Sequence, residues 1–329
     1  MMRPPTTSAH GTAPGKVILL GEHAVVYGRT ALAAAIDRSV DVTITPGPPA
    51  SPALFVLEAG AQHAAPLQAL ARAAELVGVP PYDFRARITS NLPIGVGLGS
   101  SAALSVATVR ALARFVAQPL DDTEVCAHAF EIEKLFHGFP SGIDNTVATV
   151  GGLIAFTRGA APRPLAVRPL AVRRPIPLVV ALGRTPRRTQ QAVTALRERW
   201  TAQQDHYEAL FDEIGHLVAE AAAALPSADF GKLGALMNLN QGLLRRLGVS
   251  TDELDHLVSL AGAHGALGAK LTGGGGGGAV ICLCEDGRDQ LVHAFERDGW
   301  CAFATDIGGQ RGAHASDTDD MERRAVARA

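Results

Sequence analysis

Two carboxylates in this chain, Glu133 and Asp144, sit in a setting suited to chemistry. They lie in Glu131-Ile-Glu133-Lys-Leu-Phe-His137-Gly138-Phe-Pro140-Ser141-Gly142-Ile-Asp144-Asn145. Glu133 falls near the end of a helix that stops at His137-Gly138, since a glycine just past the last turn is a helix stop. Gly138, Pro140 and Gly142 then make a tight turn, and Asp144 opens the next element. One carboxylate that holds a metal and one that orients or deprotonates a hydroxyl are what phosphoryl transfer requires. Each residue also has an ordinary reading. Asp144 can be a helix N-cap, Glu133 can lie on a solvated face beside Lys134, and His137 can cap a helix C-terminus.

The second segment is Asn91-Leu-Pro-Ile-Gly95-Val-Gly97-Leu98-Gly99-Ser100-Ser101-Ala102-Ala103, between a strand and an alanine-rich helix. Three alternating glycines let the backbone curl with its N–H groups inward. A helix N-terminus adds free donors and a partial positive charge. Together they make an anion site, for which phosphate is the usual guest. Ser100 or Ser101 is expected to cap the helix, and a hydroxyl there can also reach a phosphate-bound Mg²⁺. The plain alternative is a glycine-rich turn. Gly97-Leu-Gly99-Ser-Ser-Ala102 fits G-x-G-x-x-A, but a dinucleotide site needs a second strand ending in an acid about 20 residues on. Here Gln118-Pro119-Leu120-Asp121-Asp122 follows a helix directly. No Gly-Lys-Ser/Thr follows, so the Walker pattern fails too.

Lys270-Leu-Thr272 leads into six consecutive glycines, Gly273 to Gly278, and then a strand. Such a run costs chain entropy, so a close backbone approach is expected to require several of them. A loop closing on a nucleotide fits this better than a flexible linker. In Ala13-Pro14-Gly15-Lys16-Val-Ile-Leu-Leu-Gly21-Glu22-His23, Lys16 is placed at a strand start and Glu22-His23 just after the strand. Lys16 can pair with Asp144 and hold it ionised, or sit exposed at the strand end; His23 can be a plain turn residue. Only four of the 30 basic residues are lysines, Lys16, Lys134, Lys232 and Lys270. Retention of lysine in an arginine-rich chain suggests a need for a compact ammonium.

These segments need elements to hold them. The 329 residues suffice for about two domains, and an apolar content of 47% fits a folded core. The balance of 30 basic against 32 acidic residues argues against a nucleic-acid binder. No apolar run approaches the roughly 18 residues of a membrane span, and the first residues lack a secretory apolar stretch. A soluble, cytoplasmic protein is expected. Cys282 and Cys284 alternate onto one face of a strand and read as buried thiols, with no further ligands spaced for a metal.

The pattern predicts a loose terminus over 1–13, a buried strand at Val17–Leu20, a helix from about Thr30, and a strand at Val40–Thr45. A turn-rich break follows at Pro46–Pro52. Helices are predicted at 65–77, 102–116 and 123–136, and strands at 84–88 and 153–156. Residues 158–175 read as a connector before a strand at 176–182. Helices then cover about 189–201, 203–225, 229–246 and 251–264. Strands at 279–284 and 301–305 flank a helix at 286–298, and 308–329 reads as disordered. Strands and helices mix without strict alternation, which predicts α+β layers, with a division at 1–175 and 176–329.

In chain order the Pro14-Gly15-Lys16 strand, the Gly97-Leu-Gly-Ser-Ser-Ala-Ala103 loop and the Lys270-Leu-Thr-Gly-rich loop resemble the GHMP kinases, named for galactokinase, homoserine, mevalonate and phosphomevalonate kinases, from about residue 12 to 305. Gly21-Glu22-His23-Ala24-Val25-Val26-Tyr27-Gly28 and His137-Gly138-x-Pro140-Ser141-Gly142-Ile143-Asp144-Asn145 resemble the family's mevalonate branch. So do Asn238-Leu-Asn240-Gln241-x-Leu243-Leu244, Leu247-Gly248-Val249-Ser250, and Thr189 ahead of a helix. The resemblance implies a two-domain GHMP kinase fold: an N-terminal domain like the second domain of ribosomal protein S5 and a ferredoxin-like C-terminal domain. It implies Asp144 as catalytic base or hydroxyl-orienting group, with Lys16 polarising the same hydroxyl. Ser101 and Glu133 would hold Mg²⁺. Gly95, Gly97, Leu98, Gly99, Ser100 and Ser101, with Gly274 and Gly275, would wrap the phosphates of ATP. Glu22, His23, Asp144 and Thr189 would line the mevalonate side. The implied partners are ATP and mevalonate, without nucleic acid or membrane, and with a homodimer as the assembly to test. Two departures stand out. Gly274 replaces a usual alanine, and Pro186-Arg187-Arg188-Thr189-Gln190 replaces a commoner Ser-Thr-Arg. The rivals are a relative acting on another small alcohol and a silent nucleotide-binding regulator.

Overall fold

Val17-Ile18-Leu19-Leu20 forms the end of a long strand, β1 (Ala9–Leu20), in the computed structural model, which describes residues 8–47, 54–57, 64–79, 84–137, 140–159, 166–185 and 189–309. Regular pairing starts at Ala9, so much of the expected loose terminus is strand. The stretch from Thr30, expected as a helix, is also strand: β2 (Thr30–Pro46). Its alanines mislead because both faces are buried. Ala31 and Ala33 pack in one apolar cluster, while Leu32 and Ala34 pack in the larger one. The period of two is present, but without polar residues to mark it, and burial overrides alanine's helix propensity.

β2 organises the first sheet. It pairs antiparallel with β1, with β4 (Phe84–Ser90) and with β5 (Leu153–Thr157). β3 (Leu54–Leu57) lies parallel to β4, and β6 (Ala166–Pro169) pairs with β5. The expected connector at 158–175 therefore contains a short strand. Helices α1 (Ala64–Val77), α2 (Ser100–Phe115), α3 (Asp122–His137) and α4 (Ile143–Val150) complete this half. α2 lies close to β1: a side chain at Gly11 would collide with the backbone of Ala107 and Ala111.

The second sheet comprises β7 (Ile176–Leu182), β8 (Gly268–Thr272), β9 (Ala279–Leu283) and β10 (Cys301–Ile307). Its order is β10-β7-β9-β8, antiparallel throughout, which is the ferredoxin-like order. Helices α5 (Thr189–Ala202), α6 (Gln204–Ala224), α7 (Phe230–Arg246) and α8 (Asp252–Ala263) lie between β7 and β8 in the chain, and α9 (Arg288–Arg297) between β9 and β10. The edge of β8 is covered by amides of α7. Asn238 Oδ1 accepts the Ala269 N–H and Gln241 Oε1 accepts the Leu271 N–H, each at 3.0 Å. This satisfies an edge otherwise open to unwanted pairing. Cys282 and Cys284 are buried as expected.

Polar and aromatic contacts join the two sheets. Thr305 Oγ1 donates to Asp37 Oδ1 at 2.6 Å. Tyr27 stacks on Phe211 of α6 with ring centroids 4.1 Å apart. Among the described residues, no helix is long and apolar enough to cross a membrane. The predicted tail beyond residue 309 and residues 48–52 of the predicted break lie outside the described residues.

Candidate functional site

Alternation along β1 puts Lys16 and Ile18 on one face. Ile18 packs there with Ile143 and Val147 of α4, so Lys16 is directed to the start of the same helix. Asp144 stands in its first turn, where the helix dipole favours a carboxylate. Lys16 Nζ lies 3.1 Å from Asp144 Oδ1 and donates to Gly97 O at 3.2 Å. Lys16 is 1% exposed, whereas the Asp144 side chain is 25% exposed. The lysine is thus in mid-strand and buried, not at an exposed strand end, and the aspartate is the part of the pair that meets solvent. The N-cap of α4 is Gly142, with φ +87°, so Asp144 is not the cap.

The loop at 95–99 curls as its glycines suggested. Gly95, Gly97 and Gly99 have φ of +79°, +89° and +75°, alternating with residues of ordinary φ. Alternating backbone hands turn successive N–H groups toward one concavity, an anion nest. It empties into the N-terminus of α2. The helix N-cap is Gly99 and no side chain caps it, which corrects the serine cap expected for Ser100 or Ser101. A side chain at Gly99 would come within 2.9 Å of Lys16 Cγ. Leu98 is buried, and its carbonyl accepts the Lys16 N–H at 2.9 Å.

Ser101, freed from capping, donates to Glu133 Oε2 of α3 at 3.3 Å. Glu133 is buried, which overturns the solvated-face alternative, and Lys134 pairs with Glu131 instead. Burial, and after it the charge of Asp144, pushes the Glu133 carboxyl up to about 8. Hard oxygen donors of this kind, a hydroxyl beside a buried carboxylate, suit Mg²⁺.

His23 follows the end of β1 at φ +61° and ψ −50°, a sparsely populated region for a residue with a side chain. Such strain concentrates at functional positions. Glu22, beside it, is fully buried and ion-paired with Lys270 Nζ. Burial pushes the Glu22 carboxyl up and the Lys270 ammonium down, and their mutual attraction opposes both shifts. Thr189 opens α5, but its side chain and that of His137 lie outside the described residues, as do residues 186–188.

The third glycine segment begins in β8, a strand absent from the sequence reading. Gly273, Gly275, Gly276, Gly277 and Gly278 have positive φ, and Gly274 does not. The backbone at 274 is thus open to the alanine usual there. Gly276 N–H donates to Val249 O at 2.9 Å, and a side chain at Gly275 would collide with the same carbonyl. This gives the Leu247-Gly248-Val249-Ser250 turn its place: it carries the loop. Arg199 of α5 donates to Leu247 O at 2.8 Å, tying the Thr189 helix to that turn. Lys270, Thr272 and Val249 were not among the predicted site residues. The rarity of lysine was the available signal for Lys270; for Val249, which acts through its backbone, the signal was the Leu247-Gly248-Val249-Ser250 segment, which marked the turn without its role.

Residues 64–152 match the family model of the GHMP kinases N terminal domain, and residues 221–299 that of the GHMP kinases C terminal. The chain belongs to the GHMP kinase family. Among its relatives in this family, the mevalonate kinase of Pyrococcus horikoshii is 35% identical over 323 residues, spanning 90% of this chain and 94% of the relative. The Aeropyrum pernix mevalonate kinase is 37% identical over 298 residues, spanning 85% and 90%. The crystal structure of L. major mevalonate kinase in complex with R-mevalonate superposes with a TM-score of 0.87 at 29% identity, covering 95% of this chain and all of that one. Membership of this kinase family implies ATP as co-substrate.

Proposed function

We propose that this chain is an ATP-dependent mevalonate kinase that transfers the γ-phosphoryl group to the 5-hydroxyl of mevalonate. The observation that carries this reading is the Lys16–Asp144 pair, buried on the lysine side and open on the aspartate side, directly beside the nest at 95–99. The mevalonate kinases among the relatives supply the substrate.

Little covalent chemistry falls to the protein in phosphoryl transfer, so positioning and charge neutralisation dominate. The N–H groups of 95–101 hold the phosphates at the α2 N-terminus, with Gly274 and Gly275 closing from the other side. Lys16, 3.1 Å from Asp144, polarises the acceptor hydroxyl. Asp144 orients that hydroxyl and takes its proton as the oxygen bonds to the γ-phosphorus, and the bond to the β,γ-bridging oxygen breaks. Ser101 and Glu133 would hold Mg²⁺, which when bound neutralises phosphate charge. His23 and Thr189 are placed on the mevalonate side; Glu22, expected there too, is sealed against Lys270 and supports that side from within. The domain division falls at 1–175 and 176–329, between the last strand of one sheet and the first of the other.

The test is coupled ADP release with ATP, Mg²⁺ and a panel of mevalonate, phosphomevalonate, homoserine and galactose. Turnover on mevalonate alone is expected. Turnover on another alcohol transfers the reading to that substrate, and none with ATP still bound refutes a kinase acting on any of the four.

A further inference from the structure

β1 pairs with β2 along one edge only, and its other edge is taken up in an unusual way. The outward N–H of Lys16 donates to Leu98 O of the first glycine loop. Two residues on, the outward groups of Ile18 are both met by one side chain. Ile18 N–H donates to Thr272 Oγ1 at 2.8 Å, and Thr272 Oγ1 donates back to Ile18 O at 3.1 Å. The threonine replaces a neighbouring strand at this point. It is buried, and it is the last residue before the Gly273–Gly278 loop. The two glycine loops are therefore referenced to successive outward positions of one strand, about 7 Å apart along it. That strand also carries Lys16. The Lys270–Glu22 pair, two residues before Thr272, locks the same junction from the end of β1.

We infer that Thr272 is a positioning residue for nucleotide: its hydroxyl fixes the third glycine loop at a set distance from the phosphate nest, across the boundary between the two sheets. The inference rests on the reading of both loops as ATP-binding, and it does not depend on which alcohol is phosphorylated. Glycines with positive φ have little stiffness of their own, so the loop's placement must come from its anchors. Thr272 is the anchor on the nest side, and Val249 O is the anchor on the other.

The variants are Thr272→Val, which keeps the shape and removes the hydroxyl, and Thr272→Ser, which restores it. Affinity for ATP is read by titration calorimetry with the full chain, alongside KM for ATP and for mevalonate, kcat and the thermal midpoint. Loss of a buried hydrogen-bond partner predicts ATP binding weakened about tenfold in the valine variant. KM for mevalonate is expected within about twofold of wild type, with serine returning ATP affinity close to wild type. A valine variant that is less heat-stable but binds ATP normally would overturn the inference, leaving Thr272 a purely structural residue. So would a change confined to KM for mevalonate. If valine does not fold, Thr272→Ala admits water to Ile18 and carries the same predictions. Should the wild type bind ATP without phosphorylating mevalonate, the substrate assignment fails while the calorimetric comparison still decides the role of Thr272.

Discussion

Two lysine–carboxylate pairs lie at the junction of this molecule and differ in one respect. Lys270 and Glu22 are both fully buried, whereas Lys16 is buried and Asp144 reaches solvent. The sealed pair links β8 to the turn after β1, so it joins the two sheets. The open pair links β1 to α4 and faces the space beside the glycine nest. The same chemical partners thus form a sealed fastener in one place and a solvent-reaching pair in the other, and access is what fits the second for the reactive role proposed for it. Two of the chain's four lysines are spent on these pairs, and the other two, Lys134 and Lys232, pair with exposed glutamates.

The largest effect is expected at the open pair. Asp144→Asn keeps the side-chain shape and removes the base, and kcat in the ADP-release assay should fall by about 10²–10⁴. The sealed pair should respond in stability instead. Lys270→Met leaves Glu22 charged and unpartnered, and denaturant unfolding should register a loss of about 3–5 kcal/mol. Adding Glu22→Gln should recover much of that loss, because the penalty comes mainly from the orphaned charge.

The open pair has a titrating neighbour. The Glu133 carboxyl, raised to about 8, holds its proton longer in the folded state than in the unfolded one, whose value is near 4.5. Its contribution to stability is therefore present below pH 4.5 and is lost as pH rises toward 8. With EDTA present, the thermal midpoint should decline over that window, and Glu133→Gln should flatten the decline. The smallest effect is expected in the loop beside the sealed pair. Gly274→Ala should shift the unfolding free energy by less than about 1 kcal/mol, in the stabilising direction, because its φ suits an L-residue. Gly275→Ala, at φ +65° and against Val249 O, should be clearly destabilising by the same measurement.

Much of this arrangement was legible in the residues. Alternating glycines before an alanine helix gave the nest, and a carboxylate after a Gly-Pro-Gly turn gave Asp144. The ends of the helices after residue 189 were legible too, since their apolar periodicity is intact. The second half of β2 was legible as the strand expected at Val40–Thr45, but its first half from Thr30 was not, because burial on both faces erased the polar half of its alternation. The caps were misread for a related reason: Ser101 looks like a cap in sequence, but Glu133, 32 residues away, takes its hydroxyl. The Thr272–Ile18 bridge spans 254 positions, and no local pattern encodes a contact of that length.

The most direct test of the central claim separates chemistry from binding at the open pair. Single-turnover transfer from ATP to mevalonate is measured for wild type and Asp144→Asn, with ATP affinity measured on the same preparations. Transfer slowed by at least about a hundredfold with ATP affinity unchanged is the predicted result. Wild-type transfer by the asparagine variant would contradict the assignment of Asp144.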